Sequence, residues 1–209
     1  MPPTTHRIVS RRVALTNSRF DVLLDHVEGP GGGVPNYLMV RPKIRHADLI
    51  AGVCVLPVVD GRIGLMRVHR PHFAEALWVA PSGFVEPNES TATSARRELE
   101  EETGLTCDLT DLRPLGLLML DPGVLEARVA LYAAERTRPL ANPTANLEEL
   151  GAGRLVLFTP DEAEELALSS PSMDGGTVAT CLRWLTWRRR GGASARSDAS
   201  RLSPQASTG

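Results

Sequence analysis

The apolar positions of this chain fall into runs of two periods. Ala51 to Val59 and Ile63 to Val68 are almost continuously apolar, the pattern of strands covered on both faces. Asp60-Gly61 between them predicts a two-residue hairpin turn. Phe20 to Glu28 and Tyr37 to Val40 predict a further pair, joined across Gly29-Pro30-Gly31-Gly32-Gly33. No helix start and no Lys-Ser/Thr follow those glycines, so they read as a loop and not as a phosphate cradle. Shorter strands are expected at Leu115–Leu120, Arg128–Ala134 and Arg154–Phe158. The helical period appears from about Ser90 to Thr103, where Ala92, Ala95 and Leu99 fall on one face and Gly104 stands where a left-handed cap belongs. Pro160–Leu168 and Gly176–Arg190 predict two more helices, and residues 191–209 have too little to bury and are expected to be disordered. No internal repeat is visible.

Composition narrows the class. With 209 residues, 42% apolar and 23% charged, the chain can build a core and is expected to form one domain with appendages, which excludes a fibre, a collagen or a mainly disordered chain. Lys+Arg 23 against Asp+Glu 25 gives a net charge of -2, so no global positive field would hold the protein on nucleic acid or an anionic membrane. Arg188, Arg189 and Arg190 read as cations complementing the negative end of a helix. The three cysteines, Cys54, Cys107 and Cys181, form no C-x-x-C pair and argue against both a disulfide framework and a zinc site. Residues 1–12 carry Pro2, Pro3, Arg7, Arg11 and Arg12 with no apolar run behind them, and the longest apolar runs are far short of the roughly 20 residues that cross a bilayer. The expectation is a soluble, cytoplasmic protein, in which the Asn88-Glu89-Ser90 sequon has no consequence.

The candidate chemistry lies on the central helix. Glu98, Glu101 and Glu102 stand at i, i+3 and i+4 and share one face, with Glu100 nearly opposite. Like charges so placed cost a few tenths of a kcal/mol per pair, and a divalent cation is the natural group to offset them. All-oxygen ligands select a hard ion, Mg²⁺ first and Mn²⁺ as a substitute, whose usual task is phosphate chemistry. The glutamates alone leave open a plain solvated acidic face.

The surrounding spacing resembles a known family. Gly83, Glu89, Arg97, Glu98, Leu99, Glu101, Glu102, Gly104 and Leu105 fit, without a mismatch, the box G-x5-E-x7-R-E-U-x-E-E-x-G-U (U aliphatic) of the Nudix hydrolases. At background residue usage, a chance fit in this length is on the order of 10⁻⁷. The resemblance implies an α/β fold, an α/β/α sandwich with a mixed sheet, carrying an N-terminal antiparallel β extension. It divides the chain into a β extension over 1–45, a hydrolase domain over 46–190 and a tail over 191–209. It implies that Glu98, Glu101, Glu102 and the Ser82 backbone carbonyl are metal ligands. It further implies that Gly83 permits a tight loop, Glu89 braces it, Arg97 holds Glu101, and Leu99 with Leu105 anchors the helix.

Within the family the chain is most similar to the ADP-ribose and nucleotide-sugar pyrophosphatase branch. Trp78-Val79-Ala80-Pro81-Ser82-Gly83 resembles that branch's W-E-x-P-A-G approach to the box, Asp121-Pro122-Gly123 its S-P-G marker, and Asp174-Gly175-Gly176-Thr177 its D-x-x-T segment. The strands before residue 46 resemble the small sheet through which members dimerise and complete each other's pockets. Three departures stand out: Val79 replaces a Glu, Ala127 stands where a Glu follows the marker with Glu126 adjacent, and Asn146-Leu147-Glu148-Glu149-Leu150 lacks the first Glu of the base loop. The resemblance implies Glu148 or Glu149 as general base, with Glu148 also a metal ligand. It implies Arg67, Arg70, Trp78, Pro122, Gly123 and Glu126 as substrate contacts; His69 and His72 are alternative bases. The implied activity is Mg²⁺-dependent hydrolysis of a nucleoside diphosphate joined to another moiety, by a homodimer. ADP-ribose, giving AMP and ribose 5-phosphate, is favoured; the alternatives are GDP-mannose, NADH or a nucleoside triphosphate as substrate, or a non-catalytic sensor of an ADP-ribose-type ligand.

Overall fold

The computed structural model describes residues 5–141 and 153–191. Three antiparallel strands come first, β1 (Arg7–Thr16), β2 (Phe20–Gly29) and β3 (Gly32–Pro42), in the order β1-β2-β3. β1 is outside the expected strands: three arginines interrupt its apolar pattern, and its ladder with β2 holds it in place. β3 starts at Gly32 and not near Tyr37, because pairing with β2 continues to Gly29↔Gly32 and leaves only Pro30-Gly31 as the turn.

After a short 3₁₀ turn at Ala47–Leu49 come β4 (Ile50–Val59), β5 (Arg62–Val68), β6 (Leu77–Val79) and β7 (Ser82–Phe84), then helix α1 (Thr91–Thr103). The chain continues through β8 (Leu105–Thr106), β9 (Leu112–Leu118), β10 (Arg128–Ala134), β11 (Arg138–Pro139) and β12 (Leu155–Phe158) to α2 (Pro160–Ser169) and α3 (Gly175–Arg189). The main sheet runs β12-β5-β4-β10-β9, with β6 on β5 and β7 on β4. β4 and β10 are parallel and the other pairs antiparallel, so the sheet is mixed as expected. The β4–β5 turn holds Asp60 and Gly61 at φ 49° and 78°, the left-handed pair that matches the twist of a tight hairpin. β9 begins earlier than the apolar run Leu115–Leu120 suggests and passes through Pro114. It is the outermost strand of the sheet, where a residue without an N–H is tolerated.

The sheet separates two cores. Alternate residues of β4 face opposite ways: Val53 and Val55 pack with Ala95 and Leu99 of α1, whereas Cys54, Leu56 and Val58 pack with Ala163 and Ala167 of α2 and Trp184 and Leu185 of α3. That two-sided burial is why β4 reads as one apolar run. All three cysteines are free and buried. The N-terminal sheet is stitched to segment 119–127: Val40 N–H donates to Val124 O at 2.7 Å, Glu126 N–H to Val40 O at 2.9 Å, and Tyr37 Oη to Gly123 O at 2.9 Å. No helix among the described residues is long and apolar enough to cross a membrane. The base expected at Glu148 or Glu149, with the Asn146–Leu150 loop, and the tail from residue 192 onward lie outside the described residues.

Candidate active site

The helix that carries the carboxylates is defined at both ends by local chemistry. Ser90 Oγ accepts the Thr93 N–H at 3.0 Å, and Gly104, at φ 68°, sends its N–H to Glu100 O. Leu99, fully buried between Val53, Val55 and Ala95, fixes the rotation of the helix. Glu98 and Glu102 are thereby turned toward the strand that begins at Ser82, while Glu100 turns away and accepts from the Thr106 hydroxyl.

Arg97 is the hub of this face. Its Nη1 donates to Glu98 Oε1 at 2.7 Å and Glu101 Oε2 at 3.0 Å, its Nε to Glu89 Oε2 at 3.2 Å, and its Nη2 to Phe84 O at 2.9 Å. Glu89 is held a second time by the Ser94 hydroxyl at 2.9 Å. Burial by itself would lower the Arg97 pKa; the charge of Glu98, the hydrogen bonds to Glu98 and Glu89, and the charge of Glu101 outweigh it and hold the guanidinium above its ordinary value. Glu102 faces the other side of the loop, where its Oε2 accepts the Ser82 N–H at 3.0 Å. Gly83 leaves room for Glu98: a Cβ on it would fall on the Glu98 carboxylate and displace it. Loop and helix are thus in direct apposition.

Three carboxylates, Glu89, Glu98 and Glu101, share the Arg97 guanidinium, and that density of negative charge, all on oxygen, suits a hard divalent cation. Among the described residues no three acidic, histidine or cysteine side chains converge into a ready-made cluster. Glu98 and Glu101 are turned to Arg97 and Glu102 to the loop backbone, so an incoming cation competes with hydrogen bonds already formed.

Beside Ser82 and Gly83 lies a cavity of about 260 Å³ whose walls include Phe20, Phe84, Leu120, Leu125, Ala127 and Val129. Phe84 stands edge-on to Phe20 at 5.6 Å, and the Arg19 guanidinium lies 5.2 Å from its ring centre. Neither Phe20 nor Arg19 is marked by any motif; the one available signal is that Phe84 directly follows the first glycine of the box.

None of the six expected substrate contacts lines this cavity. Arg67 lies over the ring of Trp78 at 4.8 Å, and Trp78 packs edge-on against Phe158 at 5.1 Å. Arg70 is half-buried, and His69 and His72 are exposed, all on the connection from β5 to β6. Pro122 and Gly123 form the exposed turn under Tyr37. Glu126 is committed to Arg41 at 2.8 Å and to Arg11 at 3.8 Å, while its neighbours Leu125 and Ala127 form cavity wall.

Comparison with known proteins gives a consistent picture. The NUDIX domain family model matches residues 48–176. The chain is 31% identical over 170 residues to the CMP-5'-(N-acetyl-N-hydroxy-3-aminopropyl)phosphonate hydrolase of Streptomyces rubellomurinus (strain ATCC 31215), covering 78% of this chain and 74% of that one. It is 26% identical over 179 residues to the ADP-ribose pyrophosphatase of Bacillus subtilis (strain 168), covering 85% and 91%. The crystal structure of an ADP compounds hydrolase superposes with a TM-score of 0.72 over 90% of this chain and 96% of that one at 21% identity, a likeness of fold.

Proposed function

We propose, from the premise that this chain belongs to the NUDIX domain family and is a pyrophosphohydrolase, that the acidic face of α1 binds Mg²⁺, or Mn²⁺ in its place. The reaction is hydrolysis of a nucleoside diphosphate joined to a second moiety, with ADP-ribose as first choice. The observation that carries this reading is that Glu98 lies against Gly83 and Glu102 accepts the Ser82 N–H, while Arg97 joins Glu98 to Glu101. Glu98, Glu101, Glu102 and the Ser82 carbonyl would hold the cation, joined by Glu148. A divalent cation supplies positive charge against the diphosphate oxygens.

The chain's own groups do the rest. Arg97 keeps Glu98 and Glu101 in place through its fork of donors, and Glu89 keeps Arg97 in place. Glu148 or Glu149 takes a proton from the attacking water as its oxygen bonds to phosphorus and the bridging P–O bond breaks. AMP and ribose 5-phosphate leave. The 260 Å³ cavity takes an apolar face of the substrate, a nucleobase being the suitable group. Arg67 and Arg70 grip phosphate, with Trp78 supporting Arg67 from beneath. Pro122 and Gly123 shape the turn beside the cavity, and Glu126 ties that turn to β3.

The β extension over 1–45 joins two copies into a homodimer, and the hydrolase domain spans 46–190. Ile8, Val13 and Leu15 on β1 and Val34, Tyr37 and Leu38 on β3 are exposed, apolar surface that a second copy would cover. Buried, unpaired thiols fit a cytoplasmic setting.

The test is incubation with ADP-ribose, GDP-mannose, NADH and nucleoside triphosphates in Mg²⁺, followed by separation of products. AMP and ribose 5-phosphate from ADP-ribose is the expected result. Turnover confined to another compound corrects the substrate, and turnover of none overturns the assignment in favour of a ligand sensor. Glu102→Gln keeps an acceptor for the Ser82 N–H but removes the charge, so it should lower kcat by about 10² with the fold retained.

A further inference from the structure

We infer that Asp174 and Thr177, at the N-terminus of α3, are positioning residues for the active-site backbone at Ala80–Ser82. The inference rests on the cation-binding role proposed for Ser82. β6 pairs with β5 and β7 pairs with β4, so between them the chain crosses from one strand to the next and leaves the ladder. Backbone groups there need partners from elsewhere.

They find them on three different elements. Ala80 N–H donates to Thr177 Oγ1 at 2.8 Å. Pro81 O accepts the Val55 N–H from β4 at 2.9 Å. Ser82 N–H donates to Glu102 Oε2 of α1 at 3.0 Å. Pro81 has no N–H of its own, so Ala80 carries the one backbone donor between the two strands and Ser82 the first of β7, and α3 and α1 hold one each. A little upstream, Trp78 N–H donates to Ser172 O at 2.7 Å, and the segment leading into α3 therefore grips β6 as well.

Thr177 is 1% exposed, and a buried hydroxyl must be satisfied. It has one proton and two lone pairs. The proton goes to Asp174 Oδ2, a carboxylate that can only accept. The Thr177 oxygen is thereby left as an acceptor toward Ala80. Asp174 Oδ1 meanwhile accepts the Gly176 and Thr177 N–H groups at 2.9 and 3.1 Å. Those two bonds are an ordinary helix cap; the bond from Thr177 and the onward bond from Ala80 are not needed for capping. They connect the start of α3 to the backbone two residues before Ser82, and through it set where the Ser82 carbonyl lies relative to Glu98, Glu101 and Glu102.

The experiment uses the full chain and Thr177→Val, Thr177→Ser, Asp174→Asn and Thr180→Val. Thr180 is equally buried on α3, but its hydroxyl donates back to Gly176 O at 2.6 Å, so Thr180→Val reports the general cost of losing a buried hydroxyl. Mn²⁺ affinity is read by paramagnetic resonance without substrate, and amide exchange at Ala80 and Ser82 by NMR. Thr177→Val should bind Mn²⁺ about tenfold more weakly or worse and lose exchange protection at Ala80, and Thr177→Ser should restore both. Asp174→Asn should shift both in the same direction, since an amide donor frees the hydroxyl proton toward the Ala80 N–H; it carries the test if Thr177→Val does not fold. Thr180→Val should keep wild-type Mn²⁺ affinity whatever its melting temperature. Unchanged Mn²⁺ affinity in Thr177→Val, or equal effects of Thr177→Val and Thr180→Val, overturns the inference. A wild-type chain that binds no Mn²⁺ refutes the cation site instead. Exchange at Ala80 in Thr177→Val then decides the relay, faster exchange supporting it and unchanged exchange overturning it.

Discussion

Arg97→Met is the sharpest test of the idea that one cation organises the acidic face. The substitution keeps an unbranched apolar stem and removes four donated hydrogen bonds, three of them to carboxylates. The losses are unequal. Glu101 is 47% exposed at its side chain, and an i,i+4 pair of that kind contributes only about 0.3–0.5 kcal/mol. Glu98 is 11% exposed, and removing one member of a buried ion pair costs about 3–5 kcal/mol when burial is complete, an upper bound for Glu98, which keeps other contacts. With partial access of water to Glu98 and Glu89, the sum comes to about 2–4 kcal/mol. A chain of this size loses roughly 2–4 °C in melting temperature per kcal/mol, so the fall should be roughly 5–15 °C. Calorimetry at pH 7 measures it. Arg97→Lys, which restores a charge but cannot reach three carboxylates and a carbonyl, should recover only part. An Arg97→Met chain melting within about 2 °C of wild type would refute the reasoning.

Other outcomes follow from the same contacts. Gly83→Ala puts a methyl group where the Glu98 carboxylate lies, so ADP-ribose turnover should fall by about 10² through misplacement of that group; wild-type kcat in this variant would show that the apposition is not needed. The Arg11 hydrogen bonds to Asp25, each 2.7 Å, hold that carboxyl below its usual range. The stabilisation from this pair is complete above the ordinary value of about 4 and is lost as pH falls through the lowered one. Denaturation between pH 2 and 5 should therefore show a smaller acid loss in Arg11→Met than in wild type, and equal slopes would contradict it. Burial pushes the Cys54 thiol up, Cys181 up to about 12 and Cys107 up to about 11. An aromatic disulfide reagent at pH 8 should find no reactive thiol in the folded chain and three after unfolding; a fast-reacting thiol in the native state would show the two cores to be open.

What could be read from the chain before its structure was whatever depends on near neighbours. Helix α1 announces itself because its buried stripe of Ala95 and Leu99 and its closing Gly104 lie within one segment, and its acidic face follows from 3.6 residues per turn. The Asp60-Gly61 turn is legible for the same reason. β1 is not, since three arginines mask a strand whose existence depends on pairing with β2. Glu126 shows what motif position leaves out: it stands next to a position associated with substrate, and β3 brings Arg41 against it at 2.8 Å, an encounter no local pattern encodes. The cavity has the same origin, since Phe20 and Phe84 meet only after the N-terminal sheet docks. The proposed active site therefore divides by origin. Its charge is specified within the thirteen residues of α1, but the backbone facing that charge is held by a hydroxyl 97 residues further along the chain. A site assembled in this way can lose function through Thr177 or Asp174 while every residue of the acidic helix stays intact.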